Sequence, residues 1–181
     1  MTGTSAHSIA AELRRRVPGV GVKKLHKLLY YCQGHYLAAF GRPLFKESIS
    51  AWDMGPVVGK LWHAERDGAI IPVEPINDEA MLNTIGYVIT RYGNLSASDL
   101  ERLSHAEDPW FDANKGRPEH GSVLMPNEDI ERFFRSNAIE TDGTELDSAA
   151  METWLRRVLP DRPTLSVDTI DGIRARGRSH G

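Results

Sequence analysis

The sequence predicts a mostly helical α+β fold, one domain of six or seven helices with a short β-hairpin. Two observations carry this. Leu25, Leu28, Leu29, Cys32, Tyr36 and Phe40 recur at helical spacing and stop at Gly41, where a left-handed cap is needed. Against several such helical segments, only one stretch, 47–53, alternates as a strand does.

The elements follow in order. Residues 1–7 are expected to be disordered. Ile9, Leu13 and Val17 mark a first helix with Ser5 or Ser8 as N-cap, broken by Pro18-Gly19-Val20-Gly21. In the second helix Lys23, Lys24, Lys27 and Gln33 lie mostly off the apolar stripe, while Tyr30, Tyr31 and His35 widen the buried surface beyond one side. Residues 69–73 are the candidate partner of the 47–53 strand, and Pro72 confines them to an edge. Pro56 suits the first turn of a third helix that carries Val58, Leu61, Trp62 and Glu65 and ends at Gly68. Asp78 caps a fourth helix bearing Met81, Ile85, Val88, Ile89 and Tyr92, closed by Gly93. Ser96 with Asp99 reads as a capping box, flanked by Leu95 and Leu100, and Asp108-Pro109-Trp110 interrupts the helix it opens. Residues 114–123 read as a polar loop, 126–134 as a sixth helix and 146–159 as a seventh with Trp154 and Leu155. The expected organisation is a domain over 8–137, a helical extension over 138–160 and a mobile tail over 161–181.

Composition narrows the function classes. The chain has 181 residues, enough for one ordinary core, and a net charge of −3 gives no general attraction to nucleic acid or membrane. No apolar run approaches the ~20 residues that span a bilayer, and no signal-peptide core precedes Arg14-Arg15-Arg16, so a cytoplasmic protein is expected. Cys32, the lone cysteine, lies in an apolar helical pattern and reads as a buried, inert thiol. Residues 1–66 carry ten Lys and Arg against four Asp and Glu, and residues 67–181 carry twelve against twenty-one. This asymmetry serves either to steer a charged partner or to join two halves of one fold.

The search for chemistry yields little. His26 and His35 are nine apart, too far for an adjacent helical pair, and His63 and His105 lack zinc-like spacing. Ser104-His105 near Glu107-Asp108 has no nucleophile-elbow context, and Gly55 and Gly59 before Lys60-Leu61 do not form a P-loop. No catalytic residue, metal or cofactor is assigned. Arg14, Arg15 and Arg16 with Lys23, Lys24 and Lys27 form the sole basic run, and they read as a solvated face. Trp52, Trp62 and Trp110 fall on or beside connections, where large aromatics act as core plugs or as binding anchors. Trp52, Asp53, Met54, Gly55, Pro56, Val57 and Lys60 combine an aromatic, a flexible Met, a Gly-Pro bend and a helix start. That short segment is the candidate partner-binding surface.

The order of motifs resembles the Panacea domain of SocA-like and GepA-like antitoxins. The matching pieces are Lys24 to Tyr31 (K-L-H-K-L-L-Y-Y), Gly41 to Phe45 (G-R-P-L-F) and Ala51 to Val57 (A-W-D-M-G-P-V). Leu103 to Trp110 (L-S-H-A-E-D-P-W) and the helix over 126–134 complete the set. Met54 stands where the family usually has an aromatic, and the chain from 138 onward has no assigned counterpart. The resemblance implies an antitoxin that binds a cognate protein toxin directly, the toxin being encoded by an adjacent gene, often on a phage or other mobile genetic element. It also implies an adaptor role toward a cellular protease, and no catalysis. The alternatives are an enzyme with a pocket near Trp52, Gly55 and His105, and a transcriptional autoregulator. Neither membrane nor nucleic acid is expected as a partner.

Overall fold

In the computed structural model, which describes residues 4–138, the fold is arranged around α2 (Val22–Phe40). Ten consecutive residues, 25–34, are buried. At 3.6 residues per turn a run of that length has no solvent face. Lys27 and Gln33, expected off the apolar stripe, are therefore interior, at 1% and 0% exposure. The stripe pattern misleads there because it assumes that one side of the helix meets water. The helix ends as its sequence requires. Gly41 adopts φ 63°, and its N–H donates to the Leu37 carbonyl.

The other helices pack around this axis. α1 (Ala6–Arg16) is capped by the Ser5 hydroxyl, which accepts the Ser8 N–H at 3.1 Å. Thr4 bridges Phe45, and the Lys46 N–H donates to the Thr4 carbonyl. The expectation of a disordered 1–7 thus fails from Thr4 onward, because the first turn of α1 is held by a cap and a bridge. α3 (Gly59–Arg66) is followed by a connection, residues 67–78, with no helix or strand, then α4 (Glu79–Tyr92), whose N-terminal Met81 N–H is accepted by Asp78. α5 (Ala97–His105) has the full Ser96–Asp99 capping box. α6 (Asp108–Lys115) carries Pro109 in its first turn, where the absent N–H costs nothing. α7 (Asn127–Ser136) lies against α2.

A small antiparallel sheet completes the domain, in the order β2-β1-β3, with β1 Ile49–Trp52, β2 Gly55–Val57 and β3 Val123–Met125. Trp52 pairs with Gly55 and Ala51 with Pro56, so Asp53 and Met54 form a two-residue turn. Pro56 is consequently a strand residue, and the helix starts three positions later than expected. Its missing N–H is tolerated because β2 is an edge strand. Residues 69–73 do not pair with β1. Val123–Met125 does, with Ile49 opposite Met125. Three residues are too few to show alternation, so the pattern that places Val123 in a loop carries no strand signal. The expected helix over 146–159, the tail after Pro160 and the division at 138 lie outside the described residues.

The aromatic heart of the core joins α2, α4 and α7. Tyr31 stacks on Tyr92 with ring centroids 4.0 Å apart, and Phe134 meets Tyr30 edge-on at 5.5 Å. Phe134 reaches them because Gly34 has no side chain. A Cβ there would lie 2.3 Å from the Phe134 ring. Alanine normally stabilises a helix relative to glycine by up to ~1 kcal/mol. Gly34→Ala is expected to do the reverse and cost about 1–3 kcal/mol through overpacking. Gly86→Ala in α4, where the near neighbour is the movable Arg16 guanidinium at 3.4 Å, is expected to be neutral or stabilising. Thermal melts of the two variants check the contrast, and a Gly34→Ala protein as stable as the parent contradicts the packing argument.

Candidate functional site

The motif-bearing pieces of the sequence meet at α2, each tied by one buried polar side chain. Lys27 Nζ donates to the Pro56 carbonyl at 3.0 Å. Burial lowers its amine from 10.5 to about 8. Gly55, at φ 104°, is the residue that lets this happen, since a Cβ there would sit 2.6 Å from Lys27 Cε and 3.0 Å from Ser104 Oγ. His26 Nδ1 accepts the Val58 N–H at 3.2 Å, and burial pulls its ring down to about 4. Gln33 reads the connection after α2, its carbonyl accepting the Leu44 and Phe45 N–H groups and its amide donating to the Phe45 carbonyl. Tyr30 and Tyr31 donate to the two carboxyl oxygens of Glu107, at 2.8 and 3.0 Å. Burial raises that carboxyl to about 8 even though both tyrosine bonds oppose the shift.

Glu107 is the residue before α6, so its two tyrosines fix the angle between α5 and α6. That angle places Trp110, whose Nε1 donates to the Trp52 carbonyl at 3.0 Å while its ring stacks on His105 at 3.7 Å. The hairpin is thereby held from two sides, by Lys27 at Pro56 and by Trp110 at Trp52. Sequence reasoning missed Lys27, Gln33 and Glu107 as a set. The available signal was a lysine and a glutamine inside a run of Leu and Tyr.

Outward of these links the hairpin presents a surface. Trp52 is half-buried against Trp62 at 5.2 Å and His63 at 5.9 Å, and its Nε1 donates to Ser122 Oγ. The Arg66 guanidinium lies 5.0 Å over the Trp62 ring. Asp53 is clamped by His120, at 2.8 Å, and by Arg117, and those two partners hold its carboxyl below the usual range. Met54 is 54% exposed at the tip, and Lys60 is exposed on α3. Of the seven candidate partner-binding residues, Trp52, Asp53, Met54 and Lys60 reach solvent. Gly55, Pro56 and Val57 are buried beneath them.

Other candidate chemistry resolves into packing. Half-buried Trp52 and His105 both meet Trp110, through its Nε1–H and its ring, while buried Gly55 lies against Lys27 and Ser104. Ser104 Oγ donates to the Glu101 carbonyl of its own helix at 3.0 Å. The basic run is engaged within the molecule. Arg14 pairs with Glu65, Arg15 and Arg16 with Glu12, and Lys23 with Glu101, while Lys24 donates to the Gly93 carbonyl. Arg14 and Arg15 are exposed, as a solvated face requires, Arg16, Lys23 and Lys24 are half-buried, and Lys27 departs from the expectation by lying in the interior. Cys32 is buried, which raises its thiol pKa and keeps it protonated. Among the described residues no His, Cys, Asp and Glu group is arranged to hold a metal, and no helix is long and apolar enough to cross a membrane.

These buried groups set a pH dependence. A carboxyl raised in the fold contributes stability that is full below its unfolded value and is lost as pH rises through its folded value, here from 4.5 to about 8 for Glu107. His26 and His35, lowered to about 4 and about 3, contribute stability above 6.5 that is lost as pH falls through those values. The melting temperature is expected to peak near pH 6.5, where two histidine slopes give way to one carboxyl slope. From there to pH 8 the Glu107 contribution is about 2 kcal/mol. Glu107→Gln preserves hydrogen bonding to the tyrosines without ionising, so its melting temperature is expected to stay flat across that interval. A decline as steep as the parent's assigns the slope to other groups.

The residues that build this geometry lie within a stretch shared with known proteins. Residues 25–111 match the sequence model of the family described as antitoxin SocA-like, Panacea domain. The chain is 33% identical over 104 residues to antitoxin SocA of Caulobacter vibrioides (strain NA1000 / CB15N), a match that covers 48% of this chain and 55% of the relative. The chain therefore spans about half the length of this curated relative. No solved structure matches. The matched stretch contains Lys27, the Gly55-Pro56 strand and the Glu107–Trp110 turn, and through it the chain is similar to the SocA-like Panacea family.

Proposed function

We propose that the protein is the antitoxin of a toxin–antitoxin pair and silences a protein toxin by binding it. Similarity over residues 25–111 to a family described as antitoxin SocA-like, Panacea domain, carries this reading. The physical form of the site supports it. A two-residue turn is held by buried bonds to Lys27 and Trp110, so its exposed tip loses little conformational freedom when covered. Trp52, Met54 and Lys60 offer an aromatic edge, a flexible apolar tip and a cation on that rigid base. Asp53 is occupied by Arg117 and His120 and serves to shape the turn. Gly55, Pro56 and Val57 act as its foundation, without touching the partner.

The toxin is the product of an adjacent gene, and the protein acts without catalysis. Neutralisation proceeds by contact alone or by delivery of the bound toxin to a protease. Co-expression with the neighbouring gene tests the reading. Growth rescue and co-purification are the expected results, and toxin half-life separates contact from delivery. Rescue with neither contact nor altered toxin turnover ends the proposal.

Met54→Asp and Lys60→Glu are expected to weaken neutralisation while leaving the melting temperature unchanged, because both side chains are exposed. Truncating a contact anchor typically costs ~2 kcal/mol, about thirtyfold in affinity. Leu124→Asp, a change at an exposed apolar residue on β3, is the matched control. Calorimetric titration of the three variants against the toxin reads the difference. Equal affinities place the toxin elsewhere on the molecule.

A further inference from the structure

The exposed apolar side chains of the described residues are unevenly spread. Ile70, Ile71 and Val73, at 96%, 38% and 52% exposure, are three of eight and fall in one four-residue stretch after α3. A domain with a well-filled core gains nothing by presenting them to water, and clustered exposed apolar groups mark interaction surfaces. This stretch borders a groove of about 780 Å3 between α1, α3 and the connection after α2. Ala64, Ile71, Pro72 and Met81 form its apolar lining.

The groove is also where cations stand unpaired. Lys46 and Lys60 both line it and both are exposed. Neither ammonium group has a hydrogen-bond or ion-pair partner among the described residues, whereas Arg14, Arg66, Lys115, Arg117, Arg132 and Arg135 are each paired. The opposing charges do not cancel them. Glu47 is 8% exposed and its carboxylate is turned inward to accept the Ala6 N–H at 2.8 Å. Among the described residues Glu74 is the one exposed carboxylate lining the groove, and its backbone is pinned by a bond from its N–H to Ser8 Oγ at 3.1 Å. Two free ammonium groups beside an apolar lining suit an occupant that is apolar and carries carboxylates.

We propose that this groove, together with residues 70–73, binds an acidic, apolar segment of a protein partner. Identification of that partner with the toxin rests on the antitoxin reading above, and Lys60 then belongs to both surfaces. The chemistry of the groove stands apart from that reading.

The test uses the full chain and two short fluorescein-labelled peptides, one of leucine and glutamate and one of leucine and lysine. Fluorescence polarisation is expected to show the glutamate peptide binding about tenfold more tightly. The double variant Lys46→Glu, Lys60→Glu is expected to reverse that order, and Ile70→Asp to weaken the glutamate peptide. Arg102→Glu, at an exposed cation outside the groove, is expected to leave the order unchanged. Melting temperatures confirm that each variant is folded. Equal binding of the two peptides by the parent, or an unreversed order in the double variant, overturns the proposal. The product of the neighbouring gene is titrated in parallel against the parent. If it does not bind while the peptides behave as expected, the antitoxin reading falls and the groove assignment stands.

Discussion

A helix buried on every side must satisfy its own polar side chains, and in this protein that requirement organises the fold. α2 carries His26, Lys27, Tyr30, Tyr31 and Gln33 within its buried run. Each would cost about 1–3 kcal/mol if left without a partner. Instead His26 reaches Val58, Lys27 reaches Pro56, Tyr30 and Tyr31 share Glu107, and Gln33 holds the Leu44-Phe45 backbone. The polar side chains of one helix thereby fix the positions of connections that have little regular structure of their own. Apolar packing alone does not specify such positions, because it is non-directional.

The Gly55 region shows how tightly these constraints interlock. A positive φ, a close approach by a lysine stem and an edge strand with a proline coincide in two residues. Any side chain at Gly55 meets Lys27 and Ser104 together. Lys27 in turn needs the Pro56 carbonyl, since an unpaired buried amine would give up its proton or disrupt the core. The Gly55-Pro56 pair within the matched stretch is therefore mostly architecture. Its surface expression is the two-residue turn of Asp53 and Met54, both exposed.

The same logic separates the two candidate surfaces. The hairpin face is aromatic and braced by Trp62, His63 and Ser122. The groove beside residues 70–73 is aliphatic and lysine-lined. Lys60, near the start of α3, lines the second and lies close to the first, since a Cβ added at the preceding Gly59 would sit 3.7 Å from the Trp52 ring. A partner that spans both gains from two chemically distinct contacts, which gives specificity as well as affinity.

Local signals in the sequence determined most element boundaries. Gly41, Asp78 and the Ser96–Asp99 box each act within a few residues, so their consequences are legible in the order of amino acids itself. The motif order likewise carried the resemblance to SocA-like Panacea proteins and singled out the segment around Trp52 as a candidate. Tertiary structure alone decided the rest. Pro56 suits a helix start or an edge strand equally, and pairing with β1 chose the strand. Val123–Met125 became a strand because β1 offered a free edge from far away in the chain. Lys27 and Gln33 read as surface residues by periodicity, and burial of α2 on all sides made them the interior tethers of the fold. Periodicity reports one face of a helix. It carries no information about how many neighbours will enclose it, because those neighbours arrive from distant parts of the sequence.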